Sequence, residues 1–124
     1  MKRNRGFTLM EMLIVVVIIA VLAAVAIPVF NGSLHKAKVA ADMANVRAYY
    51  AELQTQFILT GESDFTDNRY LSEITFSDGS TVKLQAGMVG VMLKRGPGQG
   101  FTGTPLGYQM YYECNKGDHK LLLE

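Results

Sequence analysis

Glu11 is a carboxylate in a place where a carboxylate is costly. It lies at the start of an uncharged apolar run from Met12 to Phe30. A charged side chain at bilayer depth costs roughly 2.5 kcal/mol or more, so it usually marks a function and has a partner. Glu11 is therefore a candidate for ion pairing inside a membrane. The alternative is a side chain that extends to the cytoplasmic headgroups, because Glu11 lies only a few residues inside the membrane.

The other residues that could do chemistry form no catalytic or metal-binding pattern. Cys114 is the single cysteine, which excludes an intramolecular disulfide. With only His35 and His119 available to activate it, we predict a small, partly buried side chain rather than a nucleophile. Three acidic residues near the C-terminus are too few for a calcium site: Glu113, Asp118 and Glu124. We predict no catalytic residue, no metal site and no cofactor.

Residues 98–103 spell G-x-G-x-x-G, the spacing of a dinucleotide-binding turn. That function requires a helix directly after the glycines and an acidic residue about twenty positions later. Pro105 and the strand-like segment Tyr108–Cys114 follow instead, and no Lys-Ser/Thr pair completes a phosphate-binding loop. We therefore predict an exposed loop over Gly96–Pro105, of the kind that often carries contacts.

The apolar run is long enough to cross a bilayer, since about twenty helical residues span a hydrocarbon core of about 30 Å. Three ordinary interpretations compete. A secretory signal peptide has a shorter apolar core, and Ala23–Ala26 fits its cleavage site poorly. A plain signal anchor is expected to gain nothing from Glu11. A chain of 124 residues could hardly surround an all-round apolar helix of this length.

The segment Gly6-Phe7-Thr8-Leu9-Met10-Glu11, together with the basic head and the apolar run, resembles the type IV prepilin signature. The resemblance implies that a membrane-embedded prepilin peptidase cuts between Gly6 and Phe7 and methylates the new amino terminus of Phe7. Pro28 matches the helix-kinking proline of that family. Ala20 stands where many relatives carry a helix-loosening glycine.

Cleavage at this junction would also give Glu11 a partner. The new α-amino group at Phe7 is a cation near neutral pH. An ammonium and a carboxylate offset much of each other's cost at low dielectric. The resemblance implies that the amine of one subunit pairs with Glu11 of its neighbour and guides that subunit into a growing filament.

Charge and length fit one small domain on a long helix. The chain has formal charge +1. Removal of the three basic leader residues leaves 9 basic against 11 acidic side chains, a charge of −2. This balance argues against a nucleic-acid surface made by bulk charge. We expect a leader over 1–6, a membrane and assembly half-helix over 7–30, and a periplasmic or extracellular globular domain over 31–124.

A second helical pattern runs over 34–59. Its bulky apolar residues recur at spacings of four and three: Val39, Met43, Val46, Tyr50, Leu53 and Phe57. Alanines run beside them: Ala37, Ala41, Ala44, Ala48 and Ala51. Charged residues, among them Asp42, are predicted off this face or at its margins. We predict a hinge rather than a glycosylation site at Asn31–Ser33, and a helix end at Gly61.

The C-terminal half shows short strand patterns separated by turn residues. Two hairpins are predicted. The first pairs Glu73–Phe76 with Thr81–Leu84, and the second pairs Tyr108–Cys114 with His119–Leu123. A further strand is predicted over Val89–Leu93. Tyr111 should face away from Tyr108 and Tyr112. The fold class is therefore α+β, with a long N-terminal helix packed on an antiparallel sheet of about four or five strands.

The resemblance implies a type IV pilin subunit that forms a cell-surface filament for adhesion, motility or DNA uptake. Its partners would be other pilins, the prepilin peptidase, the assembly platform with its ATPase, and the membrane before assembly. The precursor would be a single-pass protein of the cytoplasmic membrane with its N-terminus inside, because the basic residues precede the run. A pseudopilin of a type II secretion or competence system stays open, as does a monomeric membrane-anchored binding domain. An enzyme is the least expected class.

Overall fold

The computed structural model describes residue 6 and residues 8–63, 68–97 and 103–124. Helix α1 spans Leu9–Thr60 and is followed by six strands: β1 Arg69–Leu71, β2 Glu73–Thr75, β3 Thr81–Lys83, β4 Gly87–Arg95, β5 Pro105–Cys114 and β6 Lys120–Leu123. Four strands form an antiparallel sheet in the order β1-β4-β5-β6, and β2 and β3 form a separate pair. The predicted α+β fold is confirmed. The chain divides into two compact units between His35 and Lys36.

Helix α1 is 52 residues long and continues through Asn31–Ser33. The predicted hinge is therefore wrong. A glycine inside a helix costs only about 1 kcal/mol relative to alanine, and the helical turns on both sides outweigh that cost. The predicted end of the helix is confirmed. Gly61 has a positive φ of 69°, and its N–H donates to the Phe57 carbonyl at 2.8 Å, as in a left-handed C-terminal cap.

The N-terminal unit presents its apolar side chains outward. Every residue from Leu9 to Phe30 except Ala23 is exposed. Pro28 lies within the helix. Helix α1 is long and apolar enough to cross a membrane. These side chains need a medium or a partner that accepts apolar surface, because a soluble monomer rarely exposes so large a patch.

In the C-terminal unit, the second half of α1 lies against the strands. Helix residues Val39, Val46 and Leu53 are buried in the core, as the predicted stripe requires. The stripe is rotated slightly from its predicted position, because Tyr49 is buried whereas Tyr50 is only partly buried. The strands contribute the rest of the buried core: Ile74, Leu84, Ala86, Val89, Val91, Tyr108, Met110, Tyr112 and Cys114.

The predicted hairpins are both present. The pair β2–β3 packs on α1 separately from the larger sheet. Phe76 meets Tyr49 edge to face with ring centroids 6.0 Å apart, and the Ser77 amide donates to Glu52 at 2.7 Å. The predicted antiparallel sheet of about four or five strands is confirmed by the four-stranded sheet, but the β2–β3 hairpin, which was expected in the same sheet, forms a separate pair. Strand β1 forms one edge of the larger sheet beside β4, where Tyr70 pairs with Gly90.

Strand β5 alternates as predicted. Tyr108 and Tyr112 are buried, and Tyr111 faces the other side of the sheet, where it lines a shallow pocket. The connection between β4 and β5 is closed at its base by a hydrogen bond from the Gly96 amide to the Thr104 carbonyl, 2.9 Å long. Most of the G-x-G-x-x-G segment, residues 98–102, lies outside the described residues.

Candidate functional site

Glu11 and Thr8 form a reciprocal cap at the first turn of α1. The Thr8 amide donates to Glu11 Oε2 at 2.8 Å, and the Glu11 amide donates to Thr8 Oγ1 at 3.2 Å. This geometry is a capping box, with Thr8 at the N-cap and Glu11 three residues later. The negative charge also lies at the positive end of the helix dipole. The expectation that an anchor gains nothing from Glu11 is therefore wrong, because the carboxylate caps the helix.

The sequence itself contains a signal for this cap, although the charge of Glu11 alone does not reveal it. A Thr-x-x-Glu spacing directly before an apolar run is typical of a capping box. Capping does not use the whole carboxylate. An ionised carboxylate has about four acceptor positions, so Glu11 can hold the Thr8 amide and still accept a hydrogen bond from an ammonium group.

Of the other predicted site residues, Gly6 and Phe7 directly precede this cap, and Pro28 lies near the far end of the apolar run. Gly6 is exposed, and no heavy atom lies within 4 Å of the position where a Cβ would stand. Phe7 lies outside the described residues. Ala20 and Pro28 are exposed residues of the continuous helix.

Asp42 is a buried carboxylate in the core of the C-terminal unit, and the helical pattern did not predict its burial. Asp42 is 1% exposed, although it was predicted off the apolar face or at its margins. Its Oδ1 accepts the Gln85 amide at 2.8 Å, and its Oδ2 accepts the Ala86 amide at 2.7 Å and the Tyr112 hydroxyl at 2.8 Å. Burial, and then the Asp42 carboxylate, raise the pKa of Tyr112 well above its ordinary value.

The position of Asp42 follows from helical spacing. It comes three residues after Val39 and four before Val46, which puts all three on one face of the helix. Among the described residues, every buried side-chain nitrogen or oxygen has a hydrogen-bond partner. Asp42 is thus a structural anchor that joins α1 to the β3–β4 connection and to β5.

Cys114 is 3% exposed, so it is more deeply buried than the partly buried side chain that was predicted. Its sulfur lies against Asp118 and His119 in the turn between β5 and β6. Nothing in the sequence alone connects these three residues. Their spacing, Cys-x-x-x-Asp-His, brings them together only because the turn folds back on the end of β5.

The N-terminal residues of this chain are similar to those of known proteins. Residues 1–27 match the family described as prokaryotic N-terminal methylation motif. The chain is 46% identical over 55 residues to the type IV major pilin protein PilA of Myxococcus xanthus (strain DK1622). That match covers 44% of this chain and only 25% of the relative. No solved structure matches.

The motif and the exposed apolar helix fit a membrane-anchored precursor. The matched relative is named as a type IV major pilin. The methylation motif at residues 1–27 and the pilin relative together confirm the resemblance of this chain to the type IV pilin family.

Proposed function

We propose that this chain is the subunit of a type IV pilus-like filament and that it polymerises through its N-terminal helix. The observation that carries the proposal is the capped carboxylate Glu11 in the first turn of a helix whose apolar residues are exposed from Leu9 to Phe30. A carboxylate in this position is costly in a bilayer, and a bundle of such helices that supplies a cation offsets the cost.

In this proposal the precursor is held in the cytoplasmic membrane with its N-terminus inside, because Lys2, Arg3 and Arg5 precede the span. A prepilin peptidase cuts between Gly6 and Phe7 and methylates Phe7. The exposure of Gly6 supports access of a peptidase to this bond. An assembly platform and its ATPase then move the subunit from the membrane into the filament.

The cut creates the amine that Glu11 of a neighbouring subunit binds. Processing and assembly are then chemically linked, because the cation does not exist before cleavage. The capping box supports this step as well. Thr8 holds one carboxylate oxygen at 2.8 Å and so fixes the direction in which the charge points.

The second half of α1 offers a surface for the same assembly. The alanines beside the apolar stripe are all exposed: Ala37, Ala41, Ala44, Ala48 and Ala51. Small residues let helix backbones approach closely. The bulky face of the helix is already occupied by the core of the subunit, so this alanine flank is the face available to neighbouring helices.

The decisive experiment compares Glu11→Ala with Glu11→Gln in cells that carry the assembly system. Glutamine keeps the capping box, since Glu and Gln both serve at its third position, but it lacks the charge. We expect both variants to be cut and methylated at Phe7, as measured by mass spectrometry of the mature N-terminus. We expect both to lose filaments in immunogold electron microscopy.

Filaments at wild-type number with Glu11→Gln would show that Glu11 acts only as a cap. Filaments that persist without the assembly ATPase would argue against the pilus mechanism. Correct processing without any filament of the wild-type chain would instead support a monomeric membrane-anchored binding domain. A filament restricted to a periplasmic secretion apparatus would identify a pseudopilin.

A further inference from the structure

Three side chains of types that can bind a metal lie close together at the end of β5 and in the turn that leads to β6. Cys114 Sγ lies 2.8 Å from Asp118 Oδ1 and 4.0 Å from His119 Nδ1, and His119 Nδ1 lies 2.9 Å from Asp118 Oδ1. All three belong to the C-terminal unit. Neither the pilin resemblance nor the assembly proposal uses them.

The backbone holds the two ends of this cluster in place. The Cys114 amide donates to the His119 carbonyl at 3.1 Å, and the Gly117 amide donates to the Cys114 carbonyl at 2.9 Å. Gly117 has a φ of +72°, the left-handed conformation that lets the turn fold back. The geometry of the turn therefore sets the separation of the three side chains.

We infer that Cys114, Asp118 and His119 bind a divalent transition metal, with Zn²⁺ as the natural ion. A thiolate, an imidazole nitrogen and a carboxylate oxygen are the three ligand types that Zn²⁺ uses in proteins. Thiolate and imidazole together favour Zn²⁺ over Ca²⁺ and Mg²⁺, which prefer oxygen ligands alone.

The distances suit such an ion after small side-chain movements. A tetrahedral Zn²⁺ with bonds of about 2.0–2.3 Å separates its ligand atoms by roughly 3.3–3.7 Å. The three separations in the turn, from 2.8 to 4.0 Å, lie on either side of that range. Cys114 is buried and gives a fixed ligand. The side chains of Asp118 and His119 are 51% and 32% exposed, so an ion can enter and they can adjust.

Binding exchanges a proton for the metal. The Cys114 thiol loses its proton to solvent as the sulfur–metal bond forms, and neutral His119 binds through Nδ1 while its proton resides on Nε2. The ion would join the end of β5 to the residue before β6. It would therefore fasten the C-terminal strand in a chain whose single cysteine excludes an internal disulfide.

The test uses the full chain in detergent micelles with a reducing agent that does not bind metals. Co²⁺ is the probe, because a cobalt–thiolate bond produces a near-ultraviolet charge-transfer band that reports on the sulfur ligand. We expect this band to appear with one equivalent of Co²⁺, to disappear when Zn²⁺ displaces it, and to persist in excess Ca²⁺.

Cys114→Ser should abolish the band, and His119→Gln should weaken Co²⁺ binding by about a hundredfold or more, since changes even in the outer shell cost 10–100-fold. Lys116→Gln is the matched control, an exposed residue of the same turn with no ligand atom in the cluster, and should bind like the wild type. Zn²⁺ should also raise the melting temperature of the wild type and of Lys116→Gln, but not of His119→Gln.

His119→Gln keeps the test valid if Cys114→Ser fails to fold, because His119 is partly exposed and lies outside the buried core. Absence of the charge-transfer band in the folded wild type would overturn the inference. Equal Zn²⁺ stabilisation of wild type and His119→Gln would overturn it too. In either case the three residues form a hydrogen-bonded turn only.

Discussion

At the scale of single residues, Asp42 and Tyr112 decide how the C-terminal unit is joined. The carboxylate accepts two backbone amides and the Tyr112 hydroxyl, and both residues are fully enclosed. A buried carboxylate is stable only when its acceptor positions are satisfied, so each of the three donors matters. The tyrosine is the one donor that a substitution can remove without changing the backbone.

Tyr112→Phe should destabilise the fold by about 1.5 kcal/mol at neutral pH, the lower end of the range for a hydrogen bond to a charged group. Alkaline pH supplies the sharper result. The pKa of Tyr112 is raised in the folded state, so the folded chain holds this proton more tightly than the unfolded chain. The stability from this proton is fully present below about pH 10 and is lost as pH rises further.

The measurement is the free energy of unfolding of both chains from pH 7 to 11. We expect the difference between wild type and Tyr112→Phe to stay nearly constant up to about pH 10 and then to shrink, by at most about 1.4 kcal/mol per pH unit. The comparison cancels the titration of the other tyrosines. A difference that stays constant up to pH 11 would show that Asp42 does not hold the Tyr112 proton.

The sequence predicts residues well where one physical term dominates. The cost of Glu11 in an apolar run is such a case, and the motif around it carries the resemblance to type IV pilins. The burial of Asp42 was not predicted because a charged residue on an amphipathic helix is normally solvated. Its three hydrogen-bond donors come from residues that are 43 to 70 positions away in the sequence. The proximity of three further side chains, Cys114, Asp118 and His119, was not predicted either, because their spacing alone does not reveal how the turn folds.

At the scale of elements, the turn residues correctly predicted both hairpins and the helix end at Gly61, whereas the weak helix formers at Asn31–Ser33 do not interrupt the helix. Both hairpins were predicted because glycine and small polar residues separate short apolar strands. Strand β1 was missed because it has three residues, of which Arg69 and Tyr70 are exposed, so no alternation is visible. The continuous helix at Asn31–Ser33 shows that the cooperativity of a long helix outweighs three weak residues.

The pairing of β4 with β5 depends on one glycine. A Cβ at Gly87 would overlap the Glu113 carbonyl oxygen and would lie 2.8 Å from the Cα of Cys114. Both are backbone atoms of the facing strand and cannot rotate away. Gly90 on the same strand differs, because a Cβ there would first meet the Tyr70 ring at 3.2 Å, and a side chain near an exposed edge can move.

Gly87→Ala should therefore destabilise the C-terminal unit by about 3 kcal/mol, the upper end of the usual cost of overpacking. Gly90→Ala is the matched control and should cost less than about 1 kcal/mol. Thermal unfolding of both variants, with hydrogen exchange of the β4 and β5 amides, measures the effect. Equal melting temperatures for the two variants would mean that the strands separate at Gly87 without cost.

At the scale of the whole molecule, the two faces of the second half of α1 differ in what covers them. The face with Val39, Val46 and Leu53 is buried in the subunit, whereas the alanine flank is exposed. In the proposed filament, stability and assembly would therefore depend on different side chains of one helix. A substitution on the flank should affect filaments and leave the fold of the subunit unchanged.

Ala44→Leu tests this separation. Leucine is a good helix former on an exposed surface, so the free energy of unfolding should change by less than about 0.5 kcal/mol. In a close helix–helix contact the added bulk costs about 1–3 kcal/mol, which weakens association by about ten- to a hundredfold. Filament yield by electron microscopy should fall accordingly, while Ala44→Ser, which stays small, should assemble normally. Abundant, regular filaments of Ala44→Leu would place the alanine flank outside the helix contacts of the filament.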